Sequence, residues 1–215
     1  MSGVTAADPG DAAFGRLAEA VGRLARETRG RDRTGTSHQD ADDITGTVAT
    51  DDAVGYDPIP LLRAFGEAGA RMVVIGQTAG IMHGSRELTG DLDLLWDGDP
   101  GQATAAAAAF ARLDARLTDD EGQPVPRTAA GLGRAKVLFR TGSASGDCCT
   151  PALPWGRVRV DLMIARCDVA AGPGGFLVHY VTGPDLIEMR RAAGRVKDLR
   201  RAQELELLFA GREPA

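Results

Sequence analysis

The stretch Val73-Val74-Ile75-Gly76-Gln77-Thr78-Ala79-Gly80-Ile81-Met82-His83-Gly84-Ser85-Arg86-Glu87-Leu88-Thr89-Gly90-Asp91-Leu92-Asp93-Leu94-Leu95-Trp96 decides the fold. An apolar run ends in a glycine turn, a short helix-like run follows, and a second apolar strand carries two aspartates at alternate positions. Side chains at i and i+2 of a strand point to one face, so Asp91 and Asp93 project together while Leu92 and Leu94 point the other way into a core. Two parallel carboxylates beside a glycine turn are the parts needed to hold a divalent metal on a nucleoside triphosphate.

Working outward, Pro60 to Gly69 gives a short helix before the first strand, and the compact domain begins near Asp57-Pro58. Upstream, Phe14, Leu17, Ala18, Val21, Leu24 and Ala25 recur at helical spacing and predict one amphipathic helix over 12–29. From Gly30 to about Tyr56 the chain is rich in Asp, Thr, Gly and Arg and nearly lacks large apolar residues. Such a segment buries too little surface to offset its ordering entropy, and it reads as a mobile linker. Downstream, Pro100 and Gly101 interrupt, and Gln102 to Leu117 is an alanine-rich helix. Ala135 to Arg140 reads as a strand, Thr141 to Pro154 as a loop, and the alternation in Arg157-Val158-Arg159-Val160-Asp161-Leu162-Met163-Ile164 as a further strand. Phe176 to Val181 supplies one more strand, and Pro184 to about Phe209 is helical with a break at Gly194. The expected organisation is an extension over 1–56, a core over 57–183 and C-terminal helices over 184–215. The order of elements predicts an α/β (α+β) class, a small mixed sheet with helices packed against it.

Composition narrows the classes. The chain has 215 residues, 43% of them hydrophobic, enough for one packed domain plus an extension. A formal charge of −5 argues against a protein that coats nucleic acid generally. No apolar run approaches the roughly 20 residues needed to span a bilayer. Met1 to Asp8 has neither a basic start nor an apolar segment, so no secretion signal is expected. Cys148 and Cys149 are adjacent within an odd total of 3 cysteines, which disfavours a disulfide framework and lacks zinc-site spacing. The expected location is cytoplasmic, with no membrane partner.

A D-x-D pair alone also marks an ordinary strand edge. Here the strand before it ends in a glycine turn leading to a helix, whose free N–H groups suit phosphates. A third aspartate, Asp161, lies between Val160 and Leu162 in the expected later strand, where a carboxylate is costly unless it serves a site or meets a cation. Together these pieces resemble the nucleotidyltransferase superfamily that includes the DNA polymerase beta type. The resemblance is closer to small bacterial minimal nucleotidyltransferases and to the nucleotidyltransferase toxins of toxin–antitoxin systems. The matching pieces are Ile75-Gly76, His83 to Thr89, Asp91-Leu92-Asp93, Asp161, and the tail Ala192 to Leu199. The resemblance covers about Asp57 to Phe209 and leaves the N-terminal extension outside.

That resemblance implies a nucleotidyltransferase fold and transfer of a nucleoside monophosphate from a triphosphate to a hydroxyl on RNA, protein or a small molecule. It implies Mg2+ or Mn2+ held by Asp91 and Asp93, with Asp161 completing the metal set and helping to deprotonate the attacking hydroxyl. The amides of Gly76 and Gln77 would hold the terminal phosphates, and an antitoxin or other protein partner is implied for the toxin-like members. Gln77 departs from the family's second small residue and motivates a second reading, a catalytically silent binding or regulatory module. Arg86 reads either as a phosphate ligand or as a surface arginine, and Thr89, sharing the face of Asp91, as a partner of a carboxylate or a phosphate. The basic run of Arg190, Arg191, Arg195, Lys197, Arg200 and Arg201 reads either as a solvated helix face or as a rim for a phosphate-rich substrate. Lys197 is its candidate phosphate ligand.

Overall fold

Ala13, Phe14, Leu17, Ala20 and Leu24 are all buried along one face of helix α1 (Pro9–Glu27), the helix expected from their spacing. The computed structural model describes residues 9–211, with side chains from residue 12 onward, and the leader reading of Met1 to Asp8 lies outside them. After α1 come α2 (Ile59–Ala68), β1 (Val73–Val74), α3 (Gly76–His83), β2 (Leu92–Leu95), α4 (Pro100–Arg112) and β3 (Arg116–Thr118). The chain continues through α5 (Ala129–Leu132), β4 (Lys136–Arg140), β5 (Ser145–Cys149), α6 (Val160–Ala165), β6 (Asp168–Ala171), β7 (Leu177–Tyr180), α7 (Gly183–Ala193) and α8 (Val196–Ala210). Among the described residues the strands form one 7-stranded mixed sheet in the order β3-β4-β5-β2-β1-β7-β6. Helices pack against this sheet, an α+β arrangement. No helix among the described residues is long and apolar enough to cross a membrane.

The centre of the sheet is built by the stretch that opened the sequence. β1 pairs antiparallel with β2, Val73 opposite Leu95 and Val74 opposite Leu94. β5 lies parallel on the other side of β2, and Asp147 stands opposite Asp93. Leu92 and Leu94 are fully buried, as the alternation of the strand requires, and Leu95 and Trp96 are fully buried as well, so the end of β2 is covered on both faces. Phe110 of α4 is fully buried between Phe65 of α2 and Phe139 of β4, with ring centroids 5.1 Å and 5.4 Å away. These aromatics join the helical layer to the sheet.

Several expectations need correction. The stretch Arg157 to Ile164 is not a strand: residues 160–165 form helix α6, and Asp161 lies in its first turn. Val160, Met163 and Ile164 are buried at i, i+3 and i+4, the helical period, whereas Leu162, which the alternation would put on the same face as Val160 and Ile164, is exposed. Conversely, Thr141 to Pro154 is not all loop, because β4 turns back through Thr141 to Ala144 into β5. Thr141 Oγ1 accepts from the N–H groups of Ser143 and Ala144 and shapes that turn. The alanine-rich helix stops at Arg112, after which Asp114 adopts φ 49° and the chain enters β3.

The largest correction concerns the expected linker. Residues 30–56 fold into three short 3-10 turns, His38–Asp40, Gly46–Ala49 and Asp51–Ala53, with Thr50, Asp52, Ala53 and Tyr56 buried. Polar contacts replace the missing apolar ones. Asp51 accepts from the N–H groups of Thr34 and Gly35 at 2.8 Å and 2.7 Å, and Arg31 donates to the carbonyls of Val48 and Thr50. The extension is therefore not set apart from the core: α1 packs on α3 and β6, Thr47 meets Gly90 just before β2, and His38 meets Asp147 of β5.

Candidate functional site

Gly76 opens the site. It has φ 63°, a conformation L side chains rarely adopt, and a Cβ built there would lie 1.9 Å from Asp93 Oδ2. Only glycine lets the main chain at the mouth of α3 press against that carboxylate. The first N–H groups of α3 have no acceptor within the helix, so this mouth is an anion-binding end by construction. Asp93 sits within β2 and Asp91 immediately before it. Asp91 is held on both sides: Thr89 and Thr47 donate to its carboxylate, and Tyr56 and Thr78 hydroxyls donate to its carbonyl.

The third carboxylate at this centre is Asp147, which sequence reasoning missed. Its register opposite Asp93 on a neighbouring parallel strand puts both side chains on one face, with the strands about 4.8 Å apart. Gly146 makes that approach possible, because a Cβ there would lie 1.9 Å from the Leu92 carbonyl oxygen. Burial first, and then the fields of Asp91 and Asp147, push the Asp93 carboxyl well above the usual carboxylate range. Asp147 goes the other way: burial opposes its charge, but His38 and Lys136 outweigh it and hold the carboxyl below its ordinary value. Lys136 Nζ lies 3.3 Å from Asp147 Oδ2, whereas Asp147 Oδ1 is buried and accepts no hydrogen bond.

His38, from the segment expected to be a linker, faces that oxygen with Nε2 at 3.5 Å. Its Nδ1 lies 3.2 Å from Asp52 Oδ2, and its N–H donates to the same oxygen at 2.6 Å. Burial works against a charged imidazole, but Asp147, Asp52 and Asp91 together outweigh it and raise its pKa to about 10. Asp52 is buried too, yet His38 and Arg140 hold its carboxyl well below the ordinary value. The carboxylate centre is thus flanked by a cationic imidazole of the chain itself.

A cleft of about 760 Å3 opens over these groups. Asp91, Asp93 and Asp147 line it together with Lys136, Arg190, Arg195 and Lys197, so acidic and basic side chains share one concavity. Leu153, Trp155, Leu186 and Met189 add an apolar part. Arg190 is buried and donates to Gln77 Oε1 at 2.7 Å, to the Gly76 carbonyl at 3.3 Å and to the Arg201 carbonyl at 2.9 Å. Burial, and then Arg201, lower its pKa to about 10.

The expected residues divide accordingly. Gly76, Gln77, Thr89, Asp91, Asp93 and Lys197 meet at the cleft. Gln77 does not crowd the turn with a loose side chain: its amide nitrogen donates to Ser85 Oγ at 3.0 Å and the Glu87 carbonyl at 2.8 Å, while its oxygen accepts from Arg190. Lys197 pairs with Asp43 at 3.2 Å. Arg86 is exposed on the loop after α3 and does not line the cleft. Asp161 is apart from it as well: it is exposed on α6 and engages the Arg159 guanidinium at 2.9 Å and 2.6 Å, an ordinary surface pair. The signal that could have found Asp147 is the turn Thr141 to Ala144 followed by Ser145, Asp147 and Cys149 at alternate positions, a hairpin return.

Asp91, Asp93 and Asp147 offer oxygen donors alone, the chemistry a magnesium- or manganese-sized cation takes. The mutual repulsion felt at Asp93, and an Asp147 Oδ1 that faces His38 without a hydrogen bond, fit such an ion, although among the described residues no group of three or more His, Cys, Asp and Glu side chains lies close enough together to hold one. Compared with known proteins, the chain matches no protein-family model and no curated protein.

Proposed function

We propose that the protein is a divalent-metal-dependent nucleotidyltransferase, moving a nucleoside monophosphate from a triphosphate to a hydroxyl acceptor. The observation that carries this reading is the register of β2 and β5: it sets Asp147 beside Asp93 and Asp91, next to the Gly76 turn at the mouth of α3. In the pattern recognised in sequence, Asp147 takes the place expected of Asp161, on a strand adjacent to the D-x-D strand. The nucleotidyltransferase fold is the reading of the α+β sheet that this arrangement favours.

Asp91, Asp93 and Asp147 would hold the metal. Mg2+ or Mn2+ bound there would supply charge neutralisation at the phosphate oxygens and activation of the attacking hydroxyl. The N–H groups opening α3 would bind the terminal phosphates, and Lys197 would oppose their charge from α8. Arg190 fixes the turn from behind by bonding Gly76 and Gln77, so it acts as a positioning residue. Asp147 Oδ1, which makes no hydrogen bond but faces His38 Nε2 at 3.5 Å, would take the proton of the incoming hydroxyl. The apolar part of the cleft near Trp155 suits a nucleobase.

Transfer of labelled nucleotide from ATP, CTP, GTP or UTP, with Mg2+ or Mn2+, tests the reading. Asp93→Asn and Asp147→Asn are each expected to lower transfer about a hundredfold or more, whereas Asp161→Asn leaves it within about twofold. Full transfer by Asp147→Asn would sink the assignment. A second reading, a catalytically silent nucleotide-binding or regulatory module, is favoured by one observation: His38 and Thr47 of the chain itself engage Asp147 and Asp91. Calorimetric binding of a triphosphate without any transfer would select it.

A further inference from the structure

We propose that residues 37–47 are a reversible pseudosubstrate cover, in which His38 stands in for the metal ion at Asp147 and Asp43 stands in for a phosphate at Lys197. The inference rests on the nucleotidyltransferase reading of the cleft and concerns its regulation. Three side chains of the cover meet three groups assigned to substrate. His38 Nε2 faces Asp147 Oδ1 at 3.5 Å, Thr47 Oγ1 lies 3.2 Å from Asp91 Oδ1, and Asp43 Oδ1 lies 3.2 Å from Lys197 Nζ. Each contact puts a group of the cover against one the ligand would need: an imidazole nitrogen facing one carboxylate, a hydroxyl on another, and a carboxylate on an ammonium.

The cover is built to leave. Within residues 37–47 Gly46 alone is buried, and Ile44 is 87% exposed, so no apolar anchor holds the segment down. Its attachment is polar, and a ligand carrying the same charges can replace that attachment directly. The base is fixed instead. Asp51 bonds the N–H groups of Thr34 and Gly35, Arg31 bonds the Val48 and Thr50 carbonyls, and Ala53 lies so close to Gly90 that a Cβ on Gly90 would come within 2.7 Å of it. The two ends of the excursion therefore stay together, while its tip is tied down only by polar contacts, among them the His38 N–H to Asp52 at 2.6 Å and the Gly90 N–H to Thr47 Oγ1 at 2.8 Å, in the form of a compact surface loop. Within the tip, Asp40 bonds the Ser37 N–H at 2.7 Å and Asp42 bonds the Ile44 and Thr45 N–H groups at 2.7 Å and 2.6 Å. These internal bonds let it shift as a preformed unit, with Gly35 at φ 88° beside the hinge.

Hydrogen exchange on the full chain tests this, using Mn2+ together with the α,β-methylene analogue of each nucleoside triphosphate. The expected result is faster exchange at residues 37–47 on adding the probe, with β2 and β5 no less protected than before. Asp43→Asn, an exposed change that leaves the fold alone, and His38→Gln should each bind the probe roughly two- to fivefold more tightly, by weakening a contact that binding must otherwise break. Probe binding with unchanged or slower exchange at 37–47, or variants that bind no tighter, overturns the cover alone. If neither the intact chain nor the Asp43→Asn, His38→Gln double variant binds the probe, the nucleotide reading of the cleft falls and takes the cover with it.

Discussion

Gly76 has to be glycine for two separable reasons. Its φ of 63° costs an L residue about 1–2 kcal/mol, and its missing side chain is the space taken by the Asp93 carboxylate. Gly76→Ala should therefore lower stability by about 1–3 kcal/mol in urea titration and lower nucleotide transfer by about a hundredfold, since an ångström of displacement at a reacting centre has that effect. A variant equal to the parent in both would show that the turn tolerates a Cβ. This requirement was legible in the sequence, because a glycine between an apolar strand and a helix is local information. Asp91 and Asp93 were legible for the same reason. The fate of the Gln77 side chain was not, because its partners Ser85, Glu87 and Arg190 come from the loop beyond α3 and from α7.

At the scale of elements, β5 and α6 show where local pattern misleads. Val160 and Ile164 fit one face of either a strand or a helix, and burial of Met163 rather than Leu162 beside them shows the helical period. β5, by contrast, contains Ser145, Gly146 and Asp147, residues poor in strand propensity, and it is a strand because β4 and β2 pair with it on both sides. Gly146 is the point of closest approach. Gly146→Ala would place a Cβ 1.9 Å from the Leu92 carbonyl oxygen, so β5 must move away from β2. We expect a stability loss of about 2 kcal/mol or more by urea unfolding, and transfer lost together with it, because Asp147 leaves Asp93. Retained pairing, read from exchange protection of the β5 amides, would contradict the assigned register. Nothing in the sequence around residue 146 identifies that neighbour, since Leu92 lies more than fifty residues earlier.

For the molecule as a whole, stability and site geometry share one core. Phe110 is fully buried where α2, α4 and β4 meet. Phe110→Ala should cost about 3–5 kcal/mol, by lost burial plus the cavity left behind. Unfolding in urea checks this, and a loss under 1 kcal/mol would mean that the helical layer is not carried by this aromatic cluster. By itself the sequence determined an N-terminal helix, read over 12–29 and found at Pro9–Glu27, the glycine turn, the acidic strand, the break between the last two helices and the α+β class. Each of these follows from the spacing of residues within one or two turns of chain. Tertiary structure decided the rest: that Asp147 rather than Asp161 joins Asp91 and Asp93, and that residues 37–47 lie over the cleft instead of trailing as a linker. The physical reason is common to both. Strand pairing and ion pairing act between groups brought together only when the chain closes long loops, so the energy that selects them is absent from any local window. Asp161 and Asp147 are both aspartates with apolar residues nearby in sequence, and only the sheet distinguishes the surface pair from the carboxylate set opposite Asp93.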